Sequence, residues 1–188
     1  KDIFSKVVKN NGCAIIGWRE VPVDDSVIGI TARNTQPVIE QVFIGNLNVG
    51  NRHACSLQDF ERKLYVIRKK IENAVRNSKL KQKSSFYITN LSSRTISYKG
   101  LLMPDQLDSF FIDLKDAGMA SALCLVHSRY STNTFPTWDL SQPFRFLAHN
   151  GEINTVKGNI NWMKARQGLL KSKLFGECLN DIMPVITP

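Results

Sequence analysis

Leu57, Phe60, Leu64, Ile67, Ile71 and Val75 recur every three or four residues, the spacing that gathers apolar side chains into one stripe of an α-helix. Ser56 precedes the stripe as an N-cap, and Asp59 falls at the third helical position, the layout of a capping box. A long helix is therefore predicted from Leu57. A second is predicted from near Asn154 or Thr155 to about Lys171, with Val156, Ile160, Met163 and Leu170 inward. Gly158 inside it costs ~1 kcal/mol relative to Ala, which points to close packing or substrate approach as its reason. Pro104 suits the first turn of a short helix over 104–110. Extended segments are expected at 13–18, 38–44, 85–90, 94–99, 121–127 and 144–149, with Leu91-Ser92-Ser93 turning the 85–99 pair into a hairpin. Without strict βαβ alternation, repeats or low-complexity tracts, the pattern reads as α+β.

With 188 residues and 43% apolar content, the chain can form one domain over 1–188, burying ~70% of its unfolded surface. Three histidines and four cysteines lack C-x-x-C or H-x-x-x-H spacing, so no metal site is expected. Cys13, Cys55, Cys124 and Cys178 are each expected as a reduced thiol used as a small apolar residue. Cys124 and His127, three apart in a predicted strand, would point to opposite faces and form no dyad. Widely spaced cysteines fit a reducing compartment, cytoplasmic or, in a eukaryote, a plastid. No run of 18 or more apolar residues and no signal-peptide pattern appears, so no membrane partner is expected.

Charge changes the picture in one place. The net charge is +9, and between Ser56 and Lys83 nine basic residues face Asp59, Glu61 and Glu72, a local excess of six. A basic helix can bind phosphate backbones, which makes a nucleic-acid-binding or docking module without catalysis the alternative function. A solvated face, or one docked on an acidic surface, is the commoner use, and no nucleic-acid partner is expected.

The candidate chemistry lies between Leu123 and Arg166. Leu123, Cys124, Leu125 and Val126 form an apolar run of buried-strand type, which would put Arg129 where a strand gives way to a Ser/Thr/Asn-rich loop. A guanidinium is a rigid fork that fits a carboxylate or phosphate two bonds at a time, so a small zwitterionic or acidic substrate suits Arg129. A structural pairing with Asp139 is the other reading. Asn150-Gly151 is equally double: it is the strongest short signal for a hairpin turn, and an Asn amide beside a Gly N–H is also a donor pair for a tetrahedral oxyanion.

The string His127-Ser128-Arg129-Tyr130-Ser131-Thr132-Asn133-Thr134-Phe135-Pro136, followed by His149-Asn150-Gly151-Glu152-Ile153-Asn154-Thr155, Gly158-Asn159 and Asn161-Trp162-Met163, resembles the glutaminase domain of glutamate synthase large subunits. These are class II glutamine amidotransferases, which are N-terminal nucleophile hydrolases. Upstream, Gly17-Trp18-Arg19-Glu20-Val21-Pro22-Val23, Gln41-Val42-Phe43-Ile44, Phe86-Tyr87-Ile88 and Ser93-Arg94-Thr95-Ile96 extend the resemblance, from about Gly12 onward. It implies a four-layer αββα sandwich, incomplete in this chain, which would be the central-to-late part of the domain.

The resemblance further implies that Arg129 binds the α-carboxylate of glutamine with Thr132 beside the substrate, and that Asn150 and Gly151 form the oxyanion hole. The family nucleophile is a cysteine at the mature N-terminus, where this chain has Lys1. The chain is therefore expected to be an internal piece, inactive alone, that stops just short of an acidic residue holding the substrate amino group. The implied enzyme hydrolyses glutamine to glutamate and ammonia, which a synthase domain adds to 2-oxoglutarate. FMN and an iron–sulfur cluster are implied for that parent enzyme, none for this chain. The implied partners are glutamine, the synthase domain and a small electron-donating subunit.

Overall fold

A computed structural model describes residues 1–47, 56–128, 135–141 and 155–186. The chain divides into two compact units. The first comprises Lys1–Ala14, Gly45–Arg94 and Gly151–Pro188, and the second Ile15–Ile44 and Thr95–Asn150.

The first unit is organised by α3, Leu57–Arg76. Its capping box forms as the sequence predicts: Asp59 N–H donates to Ser56 Oγ at 3.1 Å and Ser56 N–H to Asp59 Oδ2 at 3.2 Å. Leu64, Ile67, Ile71 and Val75 are buried, with Ile67 and Ile71 fully out of solvent, each worth about 1.5–3 kcal/mol of apolar burial. Leu57, at the first turn, is instead half exposed. Against α3 pack α1, Asp2–Asn10, whose Val8 is buried, and a 3₁₀ segment, Gly176–Ile182. The predicted helix near 155 is α5, Val156–Gln167. It ends four residues before Lys171, and its apolar face is shallow: Ile160 and Met163 are half-buried, while Val156 and Trp162 are exposed.

The strands β1, Cys13–Glu20, and β2, Glu40–Asn46, form a two-stranded sheet. It is antiparallel, with Val21 N–H bonding Ile39 O at 2.9 Å beyond one end and Leu47 N–H bonding Gly12 O at 3.4 Å beyond the other. Helices plus this antiparallel sheet make the chain α+β.

The core of the second unit is aromatic. The fully buried Phe110 and Phe111 meet edge to face at 4.8 Å, and Tyr98 stands edge-on to Phe111 at 5.0 Å. Phe110 closes α4, Leu107–Phe110, which follows a 3₁₀ turn begun by Pro104. An isolated antiparallel bridge joins Val23 to Phe111. The short helix α2, Ile30–Asn34, lies between the strands in sequence.

Two sequence expectations fail here. Residues 85–90 and 94–99 carry no strand. Instead of a hairpin turn, Ser92 Oγ, Ser93 N–H and Ser93 Oγ all donate to the Glu61 carboxylate at 2.6–2.7 Å. That segment is thus wrapped around an α3 side chain, and the boundary between the units falls at Arg94–Thr95, inside the expected hairpin. Residues 121–127 are likewise not a strand, and Leu123 and Val126 are exposed. An apolar run needs a neighbouring ladder to become a strand, and among the described residues the only ladder is that of β1 and β2. The remaining predicted strand, 144–149, lies outside the described residues.

Candidate functional site

Arg129, Thr132, Asn150 and Gly151 all lie outside the described residues. What the structure gives is the scaffold flanking them in sequence.

On the upstream side, Ser121 Oγ donates to Leu123 O at 2.8 Å within Ser121–Ser128. His127 Nδ1 is buried without a hydrogen-bond partner among the described residues. Cys124 is exposed, against the expectation of a small buried thiol, because the strand that would have buried it does not form. Cys13 is buried and Cys178 half-buried, and Cys55 lies outside the described residues.

Downstream the anchoring is strong. Trp138 is buried and donates its indole Nε1–H to Ala32 O at 3.1 Å. Its ring lies 5.7 Å from that of Phe110, and Gly100 sits directly beneath its edge. A Cβ at Gly100 would come within 2.4 Å of Trp138 Cζ3, closer than any real contact. Beside it the buried Lys99 donates Nζ–H to Asp139 O at 2.7 Å and Ser141 O at 3.0 Å. The backbone leaving the Arg129 motif is therefore pinned by one indole and one ammonium.

The second unit also holds a polar cluster that no local sequence signal announces. Arg19, at the end of β1, donates Nη1–H to Gln41 Oε1 at 2.8 Å and to Asp113 Oδ2 at 2.9 Å, and its Nη2 pairs with Asp113 Oδ1. Tyr98 OH donates to the same Asp113 Oδ2 at 2.9 Å. The hydrogen bond from Arg19 holds the Asp113 carboxyl below its usual range despite the cost of desolvation. Burial, reinforced by the bond to Asp113, pushes the Tyr98 phenol up. An ionised acid, a protonated phenol and a paired guanidinium make a lock with no free nucleophile or base. It belongs to the frame of the unit.

A groove of about 290 Å³ near Glu20 is lined by Asp25, Arg33 and Gln36 among others. It contains no residue of the two motifs, and Arg33 there already donates two bonds to Asp25 O, at 3.0 and 2.6 Å. Gly158 in α5 meets no expected crowding, since a Cβ there would find nothing within 4 Å among the described residues. No group of three or more His, Cys, Asp or Glu among the described residues could hold a metal ion. No helix among them is long and apolar enough to cross a membrane.

The basic run of α3 is largely occupied. Arg62 pairs with Asp59, Arg68 with Glu72 at 2.8 Å, and Lys70 with Asp181 at 2.8 Å. Lys69, buried, donates Nζ–H to Pro184 O at 2.8 Å, and burial lowers its pKa. Asn73 Nδ2 donates to Met183 O at 2.9 Å. The face expected to meet solvent or an acidic partner thus holds residues 181–184 of this same chain.

The family profile described as "Glutamine amidotransferases class-II" matches residues 1–188. The chain is 50% identical over 186 residues to the glutamate synthase [NADPH] large chain of Bacillus subtilis, covering 97% of this chain and 12% of that protein. Against the glutamate synthase [NADPH] large chain of Azospirillum brasilense identity is 49% over 175 residues, covering 93% of this chain and 11% of the other. A ferredoxin-dependent glutamate synthase 1 of Arabidopsis thaliana, chloroplastic/mitochondrial, is 42% identical over 188 residues, all of this chain and 11% of its own length. The chain thus spans about a tenth of the relatives it matches. With the profile running its whole length and both signature strings falling inside it, the chain belongs to the class II glutamine amidotransferases.

Proposed function

We propose that the chain is part of the glutaminase domain of a glutamate synthase, hydrolysing glutamine to glutamate and ammonia for transfer to 2-oxoglutarate. The observation that carries the reading is the pair of motifs, His127–Pro136 and His149–Thr155, within a sequence 50% identical to a glutamate synthase large chain over 186 residues. The complete fold under this reading is the four-layer αββα sandwich of N-terminal nucleophile hydrolases, with residues 1–188 a single stretch of that domain.

In this reading Arg129 takes the α-carboxylate of glutamine on its two-pronged guanidinium, and Thr132 adds a neutral polar contact. A thiolate attacks the side-chain amide carbon, whose oxygen becomes an oxyanion that Asn150 and Gly151 stabilise by donation. The C–N bond then breaks and the nitrogen leaves as ammonia after taking up a proton. Water hydrolyses the resulting thioester to glutamate and restores the thiol. In the complete protein, a synthase domain, with FMN and an iron–sulfur cluster, supplies the reductive chemistry that converts 2-oxoglutarate and ammonia to glutamate. A small subunit delivering electrons is the further partner of this reading.

The test is Arg129→Lys in the full-length enzyme, which keeps the charge and removes the planar fork. Glutamine-dependent synthesis should fall sharply, since charge-assisted hydrogen bonds of this type are worth ~1.5–3 kcal/mol, while synthesis from added ammonia survives. Equal loss of both activities would reject the assignment and favour a structural arginine.

A further inference from the structure

We propose that the groove lined by Glu20, Asp25 and Arg33 is a second ligand site, one that takes a basic α-amino acid. It rests on residues of the second unit alone and does not depend on the assignment of the two motifs.

The groove exists because the sheet opens there. Val21 N–H bonds Ile39 O at 2.9 Å. Farther out Pro37 has no N–H with which to continue the ladder, and Val23 pairs with Phe111 instead. The two segments part and leave a volume of about 290 Å³, room for a single amino acid. The carboxylates of Glu20 and Asp25, both on its wall, have no hydrogen-bond or ion-pair partner among the described residues. Arg33 is held by Nε and Nη2 on Asp25 O, at 3.0 and 2.6 Å, which fixes the guanidinium and leaves Nη1 unused. Gln36, also on the wall, has its Oε1 buried without a partner among the described residues, so that amide gains a bond by turning to a donor in the groove.

Two anionic groups and one cationic group are the mirror of a basic amino acid, which carries two cations and one anion at neutral pH. Its α-carboxylate matches Arg33 Nη1. Its ammonium and its side-chain cation match the two carboxylates, with the methylenes along Val23 and Val38. A neutral amino acid leaves one carboxylate unmatched, and an acidic one sets a further anion against them. Glu20, Asp25 and Arg33 are exposed, so each pair is weak and the expected Kd is on the order of 1 mM.

The experiment is calorimetric titration of the full-length protein with L-lysine, L-norleucine and cadaverine. Norleucine lacks the side-chain cation and cadaverine the carboxylate, so both should bind at least about tenfold more weakly than lysine. The Glu20→Gln/Asp25→Asn double variant should weaken lysine binding by about tenfold or more, and Arg33→Gln by a similar factor. No lysine binding, or cadaverine or norleucine binding as tightly as lysine, would overturn the proposal. Should Arg33→Gln not fold, the double variant and the cadaverine comparison give the same reading. The Arg129→Lys protein should bind lysine as wild type does. Lysine binding lost there but kept in the groove variants would place lysine at the motif arginine and overturn the groove site while leaving the glutaminase reading intact.

Discussion

Arg19 and Asp113, separated by 94 positions in the chain, form a forked pair in which Nη1 donates to Oδ2 at 2.9 Å and Nη2 meets Oδ1, with Tyr98 OH completing the shell of the same carboxylate. Because the bond from Arg19 depresses the Asp113 pKa in the folded chain, the pair's contribution to stability is fully present above the unfolded carboxylate value of about 3.9. It is lost as pH falls through the lower folded value. Asp113→Asn should be less stable than wild type at pH 7, and the gap should close in acid. Thermal melts from pH 7 to pH 2 would measure it; a gap that stays constant across that range would mean that the carboxylate charge is not what stabilises.

Asn150 distinguishes catalysis from turn geometry. Glycine adopts positive φ at little cost, so a mere turn would tolerate Asn150→Gly. An oxyanion donor would not: turnover on glutamine should fall by ~10²–10³ with little change in apparent glutamine affinity. Steady-state kinetics on the full-length enzyme decide, and near-normal turnover would return Asn150-Gly151 to an ordinary turn.

The apolar stripe of α3 should be graded by burial. Ile71, fully buried, should cost about 2–5 kcal/mol on truncation to Ala. Leu57, half exposed, should cost less than about 1 kcal/mol. Urea unfolding would check the order, and equal losses would contradict the packing described.

The cap of α3 is the more local case. Ser56→Ala removes the hydroxyl that accepts from Asp59 N–H and should cost about 1 kcal/mol. Ser56→Asn should recover most of it, because Asn is an equally good cap. Failure of the Asn rescue in the same denaturation assay would mean that the hydroxyl serves some other contact.

These contrasts follow what a sequence can express. The helix from Leu57 is legible because its cap and stripe are local, three and four residues apart, and the strands near 13–18 and 38–44 because they become each other's partners. α1 carries a one-sided apolar cluster, Ile3, Phe4, Val7 and Val8, at helical spacing, so its pattern too is local. The 85–99 hairpin was not legible as absent, since what displaces it is Glu61 in α3, some thirty residues away. Leu123–Val126 reads as a buried strand from composition, but burial needs a neighbour that composition does not name. The motifs around Arg129 and Asn150 are visible as chemistry in the sequence, whereas the seating of Trp138 against Ala32, Gly100 and Phe110 is a product of folding alone.

The burial of Lys69 has a practical consequence for amine-directed chemical labelling. Its ammonium is enclosed by α3 and the carbonyl of Pro184, so an acylating reagent reaches it only when residues 181–184 lift away. Lys79 and Lys81, exposed just beyond the same helix, would be modified without any such opening. The ratio of the two labelling rates would report how often that segment opens, making one lysine a built-in clock for local unfolding.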